Sequence, residues 1–345
     1  MSAAPPDISV AVVNWNRREY LRACLASLAG QRGANFEVIV VDNGSSDGSA
    51  EMARAEFGAR VIANTANLGF CAANNQAFAA ACGQFIALLN NDAEAAPDFL
   101  ANLRRAFDAA PDIGMAAAKV LVWDDPRRID KAGHLIYPDG QNRGRGTGEI
   151  DHAQGGQYDR VAECLWPDGS AAMYRKAMLE AIGGFDEDFF MFADDAELGL
   201  RARIAGWRCL YMPGAVVRHH RGASLDAGST RRIFLIERNR VLLAAKLFPW
   251  SLLLLNPYYF ALRLASGLAA AAGGRGEMAR FPGVANKLRL AWTILRADLA
   301  ALRLLPRMLR KRRQVRSIAK LTPTQIRRLI LENRIPVRAL VEKSN

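Results

Sequence analysis

The order of apolar runs in the first 230 residues predicts an α/β fold, with a mainly parallel β-sheet and helices on both faces. Short β-branched runs at 8–14, 36–42, 61–63 and 85–89 have the length and composition of buried strands. Helical patterns at 17–29 and 70–82 separate them, and Pro97 begins another helix. Ligands bind beyond the carboxyl ends of the strands in such sheets, so the residues after each strand are the candidates for function.

Composition and cysteine usage narrow the class of protein. The chain has 345 residues, of which 51% are apolar, enough for a large core. Its five cysteines are an odd set without a CxxC pair, which disfavours a disulfide framework and a zinc knuckle. The amino terminus lacks the pattern of a secretory signal. We therefore expect a cytoplasmic protein.

Charge is distributed unevenly along the chain. Residues 231–345 contain 24 Lys and Arg against 5 Asp and Glu, a net charge of +19, whereas residues 1–230 carry −7. An acidic part suits a site that collects metal cations, and a basic part suits anionic lipid, nucleic acid or an acidic partner. We therefore predict two domains, 1–230 with the functional site and 231–345 as a basic helical extension.

The basic extension contains an apolar segment that is short for a bilayer span. Residues 247–262 give 16 uncharged positions interrupted by two prolines. Leu-rich and aromatic helices interleaved with Arg and Lys, together with the polybasic run 307–320, suit a segment lying in the lipid headgroup region. A helical packing arm or an oligomer contact is the alternative.

Polar residues follow the first three strands. Asn14 ends the first strand and no GxGxxG turn follows it, which disfavours a nicotinamide dehydrogenase. Asp42 and Asn43 follow the second strand, where binding of a base or ribose and a plain Asx turn are equally compatible with the pattern. After the third strand come Asn67, Gly69 and Asn75, whose amides suit a base or a diphosphate, although helix capping explains Asn67 equally well.

A carboxylate follows the fourth strand in the run Asn90-Asn91-Asp92. Hard cations such as Mg²⁺ and Mn²⁺ prefer oxygen ligands and share them with phosphate, so Asp92 is a candidate metal ligand beside a diphosphate. A lone Asp at this place is also a common turn residue. The apolar strand near 216 ends in His219 and His220, either of which can supply a metal nitrogen.

A second cluster of carboxylates begins a helix. Asp194, Asp195 and Glu197 lie within four positions, flanked by aromatic and apolar residues that raise a carboxyl pKa and favour a general base. An acidic helix start is the alternative. Upstream, Trp166, Asp168 and Gly169 are candidates for contacts with a substrate, although Trp166 is equally compatible with the core. The Gly-rich segment 139–158 is predicted to be a loop over the site or a plain linker.

Taken in order, these motifs resemble the family 2 glycosyltransferases of the GT-A fold, a Rossmann-like α/β architecture, and within them the rhamnosyltransferase-like branch. The resemblance covers 8–224 and rests on the segments VVNWN, VDNGSSDGS, NLGFCAANN, LLNND, GGFDEDFFMFADDAELGLRARIAGW and VVRHHRGAS. It departs from the family in two places. The family's DxD motif reads Asn90-Asn91-Asp92, and its usual Glu-Asp pair reads Asp194-Asp195.

The resemblance implies an activity and roles for single residues. It implies inverting transfer of a sugar, with rhamnose a candidate, from a dTDP- or UDP-sugar to a glycan or lipid-linked acceptor in cell-surface polysaccharide synthesis. Asp42 and Asn67 would contact the base, and Asp92 and His219 would hold Mg²⁺ or Mn²⁺ against the diphosphate that Asn90 and Asn91 adjoin. Asp195, with Asp194 second, would be the base. Such an enzyme would be peripheral at the inner face of the cytoplasmic membrane.

Two other classes stay open. A nucleic-acid-binding protein is disfavoured, because aromatic residues are not interleaved with the basic run 310–316 and an acidic cleft would be unexplained. A degenerate module that binds a sugar nucleotide without turnover is motivated by the reduced DxD motif.

Overall fold

The computed structural model describes residues 5–152, 155–220, 229–272, 283–337 and 339. These residues form two compact units. The first takes in the described residues of 1–134, 144–203 and 207–223, and the second those of 135–143, 204–206 and 224–345. The end of the VVRHHRGAS segment, at 221–224, lies outside the described residues.

The first half of the first unit alternates strands and helices as the sequence predicts. Its elements, in chain order, are β1 (Ile8–Asn14), α1 (Arg18–Ala29), β2 (Phe36–Asp42), α2 (Ser49–Phe57), β3 (Arg60–Ala63), α3 (Gly69–Ala80) and β4 (Phe85–Leu89). Three of the strands match the predicted bounds, and β3, α1 and α3 differ by one or two residues, whereas no bounds were predicted for α2. The β-branched and apolar runs of β1 and β4 are almost wholly buried, which is why periodicity identified them.

The second half is richer in strands than the sequence predicts. It contains β5 (Ala93–Ala95), α4 (Phe99–Arg105), β6 (Ile113–Val122), β7 (Ile129–Lys131), β8 (His134–Ile136), β9 (Asn142–Gly144), β10 (Ala162–Cys164), β11 (Ala171–Arg175), α5 (Lys176–Ile182), α6 (Asp194–Ile204) and β12 (Arg208–His219). Segment 139–158, predicted as a loop, includes the short strand β9, which pairs with β8. Residues 153 and 154 of that segment are not described.

The main sheet has the strand order β10-β12-β6-β11-β4-β1-β2-β3. Of the eight strands described along this path, six run in the same direction, and β10 and β11 run the opposite way. The sheet is therefore mainly parallel, as predicted. Its parallel part brings the carboxyl ends of β1, β2 and β4 to one edge, with Asn14 directly opposite Asp42.

The core of this unit lies against the sheet. Aliphatic side chains of β1, β4 and β6 are buried together with Leu21, Leu25 and Leu28 of α1 and Phe99 of α4. Burial of each such side chain contributes roughly 1.5–3 kcal/mol. The five cysteines are free thiols.

The second unit is helical. It contains α7 (Thr230–Leu247), α8 (Trp250–Leu253), α9 (Asn256–Ala272), α10 (Val284–Ser317) and α11 (Pro323–Glu332). Thr322 and Gln325 form a capping box before α11, which Pro323 begins. The apolar segment at 247–262 is divided among α7, α8 and α9. Within the described ranges, no helix has the length and apolar character needed to cross a bilayer.

Candidate active site

The carboxyl ends of β1, β2 and β4 are joined by buried side chains. Asn14 Nδ2 donates to Asp42 Oδ1 at 3.1 Å. The other atom of the same amide, Asn14 Oδ1, accepts a hydrogen bond from Asn91 Nδ2 at 2.7 Å. Asp42 also accepts from the Ser45 backbone N–H at 2.9 Å and from the Ser45 hydroxyl at 2.6 Å. These polar groups thus stabilise the strand ends. The N–H that Asp42 accepts belongs to the residue three positions on, one beyond an Asx turn, and the residue that precedes α2 is Gly48.

The predicted donor-binding residues around α3 differ in exposure. Asn43 is buried and donates to the Gly69 carbonyl at 3.2 Å, while exposed Asn67 accepts from the Gly69 N–H at 2.9 Å. Asn75 donates to the Phe185 carbonyl and accepts from the Phe185 N–H, both at 2.9 Å. The Asn75 amide therefore holds the segment after α5 to α3, and Asn67 is the more accessible of these side chains.

The three residues after β4 are each fixed by a different neighbour. The backbone N–H of Asn90 donates to the Ser170 carbonyl at 2.9 Å, and the Asp92 carbonyl accepts from the His220 N–H at 3.0 Å. Asn91 is held by Asn14 as described above. Asn90 is half-buried, whereas Asn91 and Asp92 are buried. The position of Asp92 is thereby set by β1 and by the residues adjoining β11 and β12.

Asp92 faces His219, and His219 is held from behind by Asp130. His219 Nε2 lies 3.3 Å from Asp92 Oδ1, and His219 Nδ1 lies 3.0 Å from Asp130 Oδ2. Burial alone would lower the pKa of His219, but hydrogen bonds to Asp130 and Asp92 outweigh it and raise the pKa to about 9. Burial opposes ionisation of Asp92 as well, yet His219 keeps the pKa of that carboxyl below its usual range.

This pair fits a divalent cation. Ligands at about 2.1 Å in an octahedron lie about 3.0 Å from their neighbours, close to the 3.3 Å between Asp92 Oδ1 and His219 Nε2. An imidazole whose other nitrogen is held by a carboxylate is the usual arrangement around protein-bound metals. Asp92 and His219 could therefore hold such an ion, with Asp130 orienting the ring.

His220 has different surroundings. Its ring stacks on Trp123 with the centroids 3.8 Å apart, and Tyr20 meets it edge-on at 4.8 Å. Burial lowers its pKa. Of the two adjacent histidines at the end of β12, only His219 directs a ring nitrogen at Asp92, the carboxylate predicted to bind the metal.

A second polar cluster surrounds Asp195 at the start of α6. Asp195 Oδ2 accepts from the Gly169 N–H at 3.3 Å and lies 3.4 Å from His134 Nε2. Asp168 Oδ2 lies 2.8 Å from the same His134 nitrogen and 2.6 Å from Lys131 Nζ. Each carboxylate thus has an N–H or ammonium group beside it, which is what keeps charges stable in a buried site.

Ligand atoms of His134, Asp168 and Asp195 lie within 4.8 Å of one another, a spacing that could hold a metal ion. Lys131 Nζ, however, already lies 2.6 Å from Asp168. A divalent ion there would face this like charge, so the Asp92–His219 pair fits a metal better.

Asp194 and Asp195 have raised pKa values, and their surroundings distinguish them. Burial raises the pKa of both carboxyls. The negative charge of Asp195 raises the pKa of Asp194 further. At Asp195, by contrast, the positive charges of His134 and Lys131 lower the pKa and so oppose the effect of burial. Asp195 is also the more exposed of the two. Asp195, whose raised pKa is opposed by two neighbouring positive charges, is therefore the better candidate for a general base.

Glu197 serves a structural role. It is fully buried and forms a bidentate ion pair with Arg201, with both N–O distances at 2.9 Å. Arg201 also donates to the carbonyls of Ile182, Gly183 and Gly184. The pair therefore ties α6 to the turn after α5.

The segment before Asp194 has an unusual backbone. Phe190, Phe192 and Ala193 have φ values of 65°, 68° and 55°, a region that residues with a side chain rarely adopt. The Phe190 carbonyl accepts from the N–H groups of Phe70 and Cys71 in the first turn of α3. Backbone strain of this kind is concentrated at functional sites and persists where neighbouring contacts hold it.

Trp166 is fully buried, and its indole lies beside the His134 ring at a centroid distance of 6.0 Å. A Cβ on Gly199 of α6 would lie 2.1 Å from the Trp166 Cβ, so only glycine allows this approach. Trp166 thus packs in the core, the alternative that the sequence left open, and it supports His134 from one side.

The sequence did not point to Asp130, Lys131 or His134. These residues lie on β7 and β8, short strands without clear periodicity. The described residues thus bring Asn14, Asp42 and Asn91 together, Asp92 with His219, and Asp168 and Gly169 with Asp195. A Lys or a His whose carboxylate partner lies 34 or more residues away leaves no local signal in the sequence.

The first unit, which contains the main sheet and both polar clusters, has the GT-A fold of glycosyltransferases. The chain is similar in structure to the mannosyltransferase PcManGT from Pyrobaculum calidifontis, solved with GDP-Man and Mn²⁺, at a TM-score of 0.53 and 21% identity. The similarity covers 92% of this chain and 86% of that one.

The chain belongs to glycosyl transferase family 2, whose profile matches residues 9–183. An uncharacterised protein of Sinorhizobium fredii is 30% identical over 64% of this chain, which spans 25% of that protein's length. The N-acetylglucosaminyl-diphospho-decaprenol L-rhamnosyltransferase of Mycobacterium tuberculosis is 26% identical over 63% of this chain and 77% of its own length. The chain is therefore a member of a family of glycosyltransferases.

Proposed function

We propose that the chain is an inverting glycosyltransferase that moves a sugar from a nucleoside-diphosphate sugar to a hydroxyl of a glycan or lipid-linked acceptor. Residues 1–230 would be the catalytic domain. The observation that carries this proposal is the Asp195 carboxylate, which has a raised pKa and lies between the Gly169 N–H and the His134 ring. In a family 2 chain this is the group suited to deprotonate an acceptor.

The reaction would be a single displacement. The acceptor oxygen forms a bond to the anomeric carbon while the bond from that carbon to the phosphate oxygen breaks, and Asp195 takes the acceptor proton. Asp168, held by Lys131 and Ser170, would orient the sugar or the acceptor. The nucleotide side of the site would be formed by Asp42, Asn43, Asn67 and Gly69. Four further side chains would support or contact the donor: Asn14, Asn75, Asn90 and Asn91.

A divalent metal, Mg²⁺ or Mn²⁺, held by Asp92 and His219, would neutralise the charge of the leaving diphosphate. The fit of that pair to a cation supports this assignment, as does the Mn²⁺ bound to the structurally similar mannosyltransferase.

Several features bear on the substrate. The similarity to a mycobacterial L-rhamnosyltransferase favours rhamnose as the transferred sugar and a lipid-linked acceptor. An O-antigen biosynthesis protein of Myxococcus xanthus is 27% identical over 74% of this chain and 20% of its own length, which favours cell-surface polysaccharide synthesis. A dTDP- or UDP-sugar is the proposed donor, because a carboxylate such as Asp42 can accept from the imide N–H that uracil and thymine share. An enzyme that uses a lipid-linked acceptor must reach the membrane surface, which favours a peripheral position at the cytoplasmic membrane.

The proposal is tested by thermal unfolding of the full chain with UDP, dTDP or GDP, each with and without Mn²⁺. Binding at a hundred times Kd stabilises by about 2.7 kcal/mol, which corresponds to a rise of roughly 5–10 °C for a domain of this size. We expect such a rise with UDP or dTDP in the presence of Mn²⁺. Asp92→Ala should abolish the metal-dependent part, whereas Asp98→Ala, at an exposed acid outside the site, should keep it.

Release of free sugar from UDP- and dTDP-sugars then measures turnover. Asp195→Asn should bind nucleotide as the wild type does and lose turnover. Binding without turnover in the wild type, across the donor panel and with added glycan and lipid-linked acceptors, would instead favour the degenerate sugar-nucleotide-binding module. Absence of any nucleotide effect would contradict both.

A further inference from the structure

Helix α10 exposes a continuous apolar row. Its exposed side chains include Val284 at 74%, Leu288 at 66%, Trp292 at 58% and Leu302 at 56%, with Leu295 and Leu299 between them. At 100° per residue these positions fall within about 80° of the helix circumference. We define this row as the apolar face of α10. Exposed apolar rows of this length are uncommon on surfaces that stay in water.

The apolar face is not the side by which α10 packs in its own unit. α10 packs along α7. Its buried residues lie on the side opposite the apolar face and include Leu290, Ala297, Ala301 and Met308. The helix thus has two apolar sides, one used for packing and one turned outward. Core packing therefore explains only the first of them.

Basic residues border the apolar face. α10 contains ten Lys and Arg and a single acidic residue, Asp298. Four of the arginines, Arg289, Arg296, Arg303 and Arg310, recur every seven residues, and all four are exposed. A seven-residue repeat keeps nearly the same side of a helix, and these positions lie along one border of the apolar face. Arginine can place its aliphatic stem over apolar surface and its charge at the headgroups.

We propose that the apolar face of α10 docks on a membrane surface that contains anionic lipid. A helix with an apolar row of Leu and Trp bordered by cationic side chains has the properties of an interfacial helix. Each basic residue near an anionic leaflet adds to binding. The chemistry recognised is thus acyl chain and anionic headgroup together.

Other partners fit the face less well. A second copy of α10 packed antiparallel would bring two rows of arginine towards one another, and like charges so placed oppose self-association. A polynucleotide would satisfy the arginines and leave the apolar row in water. Helix α9 adds support for lipid, since it also exposes apolar residues, Tyr258 and Leu268, and its one charged residue, Arg263, is bound to Glu237 and Asp139.

This inference does not depend on the proposed function, because membrane binding can be measured without donor or acceptor. The full chain is sedimented with two kinds of vesicle. One contains phosphatidylcholine alone, and in the other about 30% of the lipid is anionic phosphatidylglycerol. We expect the partition coefficient to be at least tenfold higher on the anionic vesicles. It should fall severalfold between 50 mM and 500 mM NaCl, because salt screens the charges.

Two variants separate the apolar contribution from the charge contribution. Leu295→Asp with Leu302→Asp should lower partitioning onto anionic vesicles at least tenfold, while Val161→Asp, at an equally exposed apolar residue of the other unit, should leave it unchanged. Arg289→Gln, Arg296→Gln and Arg303→Gln together should remove most of the preference for phosphatidylglycerol. Unchanged thermal unfolding of each variant shows that the fold is retained.

Three results would overturn the proposal. One is equal and weak sedimentation with both vesicle types. Another is a concentration-dependent dimer in sedimentation velocity that Leu295→Asp with Leu302→Asp dissociates, since a second copy would then cover the face. The third is vesicle binding that survives both Leu→Asp changes but is displaced by polynucleotide, because charge alone would then explain it.

Discussion

His219 Nδ1 lies 3.0 Å from Asp130 Oδ2, which leaves Nε2 of the same ring facing Asp92 at 3.3 Å. The contact with Asp130 fixes the orientation of the imidazole and favours a proton on Nδ1, which leaves Nε2 free to bind a metal when the ring is neutral. Asp130 is 89 residues from His219 along the chain, and no local sequence motif marks it.

Removal of this carboxylate should weaken metal binding without removing a ligand. Asp130→Asn is expected to lower Mn²⁺ affinity by 10- to 100-fold, the usual effect of losing an orienting partner. Isothermal titration of Mn²⁺ in the presence of UDP or dTDP measures it. Asp98→Asn, an exposed change of the same kind, is the control. Wild-type affinity in Asp130→Asn would show that the ring is held by its packing alone.

The pH dependence of turnover should respond to Lys131. The base must be ionised, so activity falls as the pH drops through the pKa of Asp195. Burial raises that pKa, and the charges of His134 and Lys131 hold it down. Lys131→Met removes one of these charges, which should raise the pKa and move the acidic limb of kcat/KM to higher pH. Lys131→Arg keeps the charge and should leave the limb near its wild-type position. A limb that Lys131→Met does not move would assign the base role elsewhere.

Two ion pairs, each between residues four apart on a helix, offer a contrast in stability. Glu197 and Arg201 are buried, and Arg328 and Glu332 are exposed. Glu197→Ala leaves the Arg201 charge buried without its carboxylate, which should cost about 3–5 kcal/mol and lower Tm by roughly 10 °C. Glu332→Ala should have no measurable effect, because solvent screens exposed pairs. Thermal unfolding followed by circular dichroism compares the two. Equal shifts would mean that the carbonyl contacts of Arg201 suffice to hold it.

Two glycines with positive φ separate backbone strain from steric conflict. Gly58 has φ of 61° and open space where a Cβ would lie, whereas at Gly69, with φ of 87°, a Cβ would lie 2.4 Å from the Phe190 ring. Gly58→Ala should cost roughly 1 kcal/mol, the backbone effect alone. Gly69→Ala should cost clearly more and also weaken nucleotide binding, because it displaces the segment before Asp194. Similar losses of stability for both variants would show that the Phe190 ring moves aside easily.

The sequence predicted the parallel part of the fold because the signals there are local. A strand such as β4 is a compact apolar run, and its polar end is read directly from the next three residues. The antiparallel part was harder, since short strands such as β7 and β8 carry three residues each and are defined by distant partners. For the same reason Asp92 and Asp195 were candidates from the sequence, whereas Asp130, Lys131 and His134 became visible only through contacts across the fold.

Burial also separated residues that look alike in the sequence. Asp195 and Glu197 are two acids of one helix start, but the ion pair with Arg201 is visible only in three dimensions. Asn67 and Asn75 likewise share a polar motif, and the amide of Asn75 is engaged with Phe185. Residue type at a strand end or helix start therefore indicates a group of candidates, and the hydrogen-bond partners decide which candidate is accessible.

The three residues after β4 are bonded to three separate parts of the sheet: Asn90 to Ser170, Asn91 to Asn14 and Asp92 to His220. The spacing between these anchors fixes how many residues can lie between Leu89 and Ala93. The bonds of Asn90 and Asp92 come from the backbone, so replacing either side chain would leave them in place, whereas the bond of Asn91 depends on its side-chain amide. An insertion or deletion within the turn would shift every bond by one residue and carry the carboxylate away from His219.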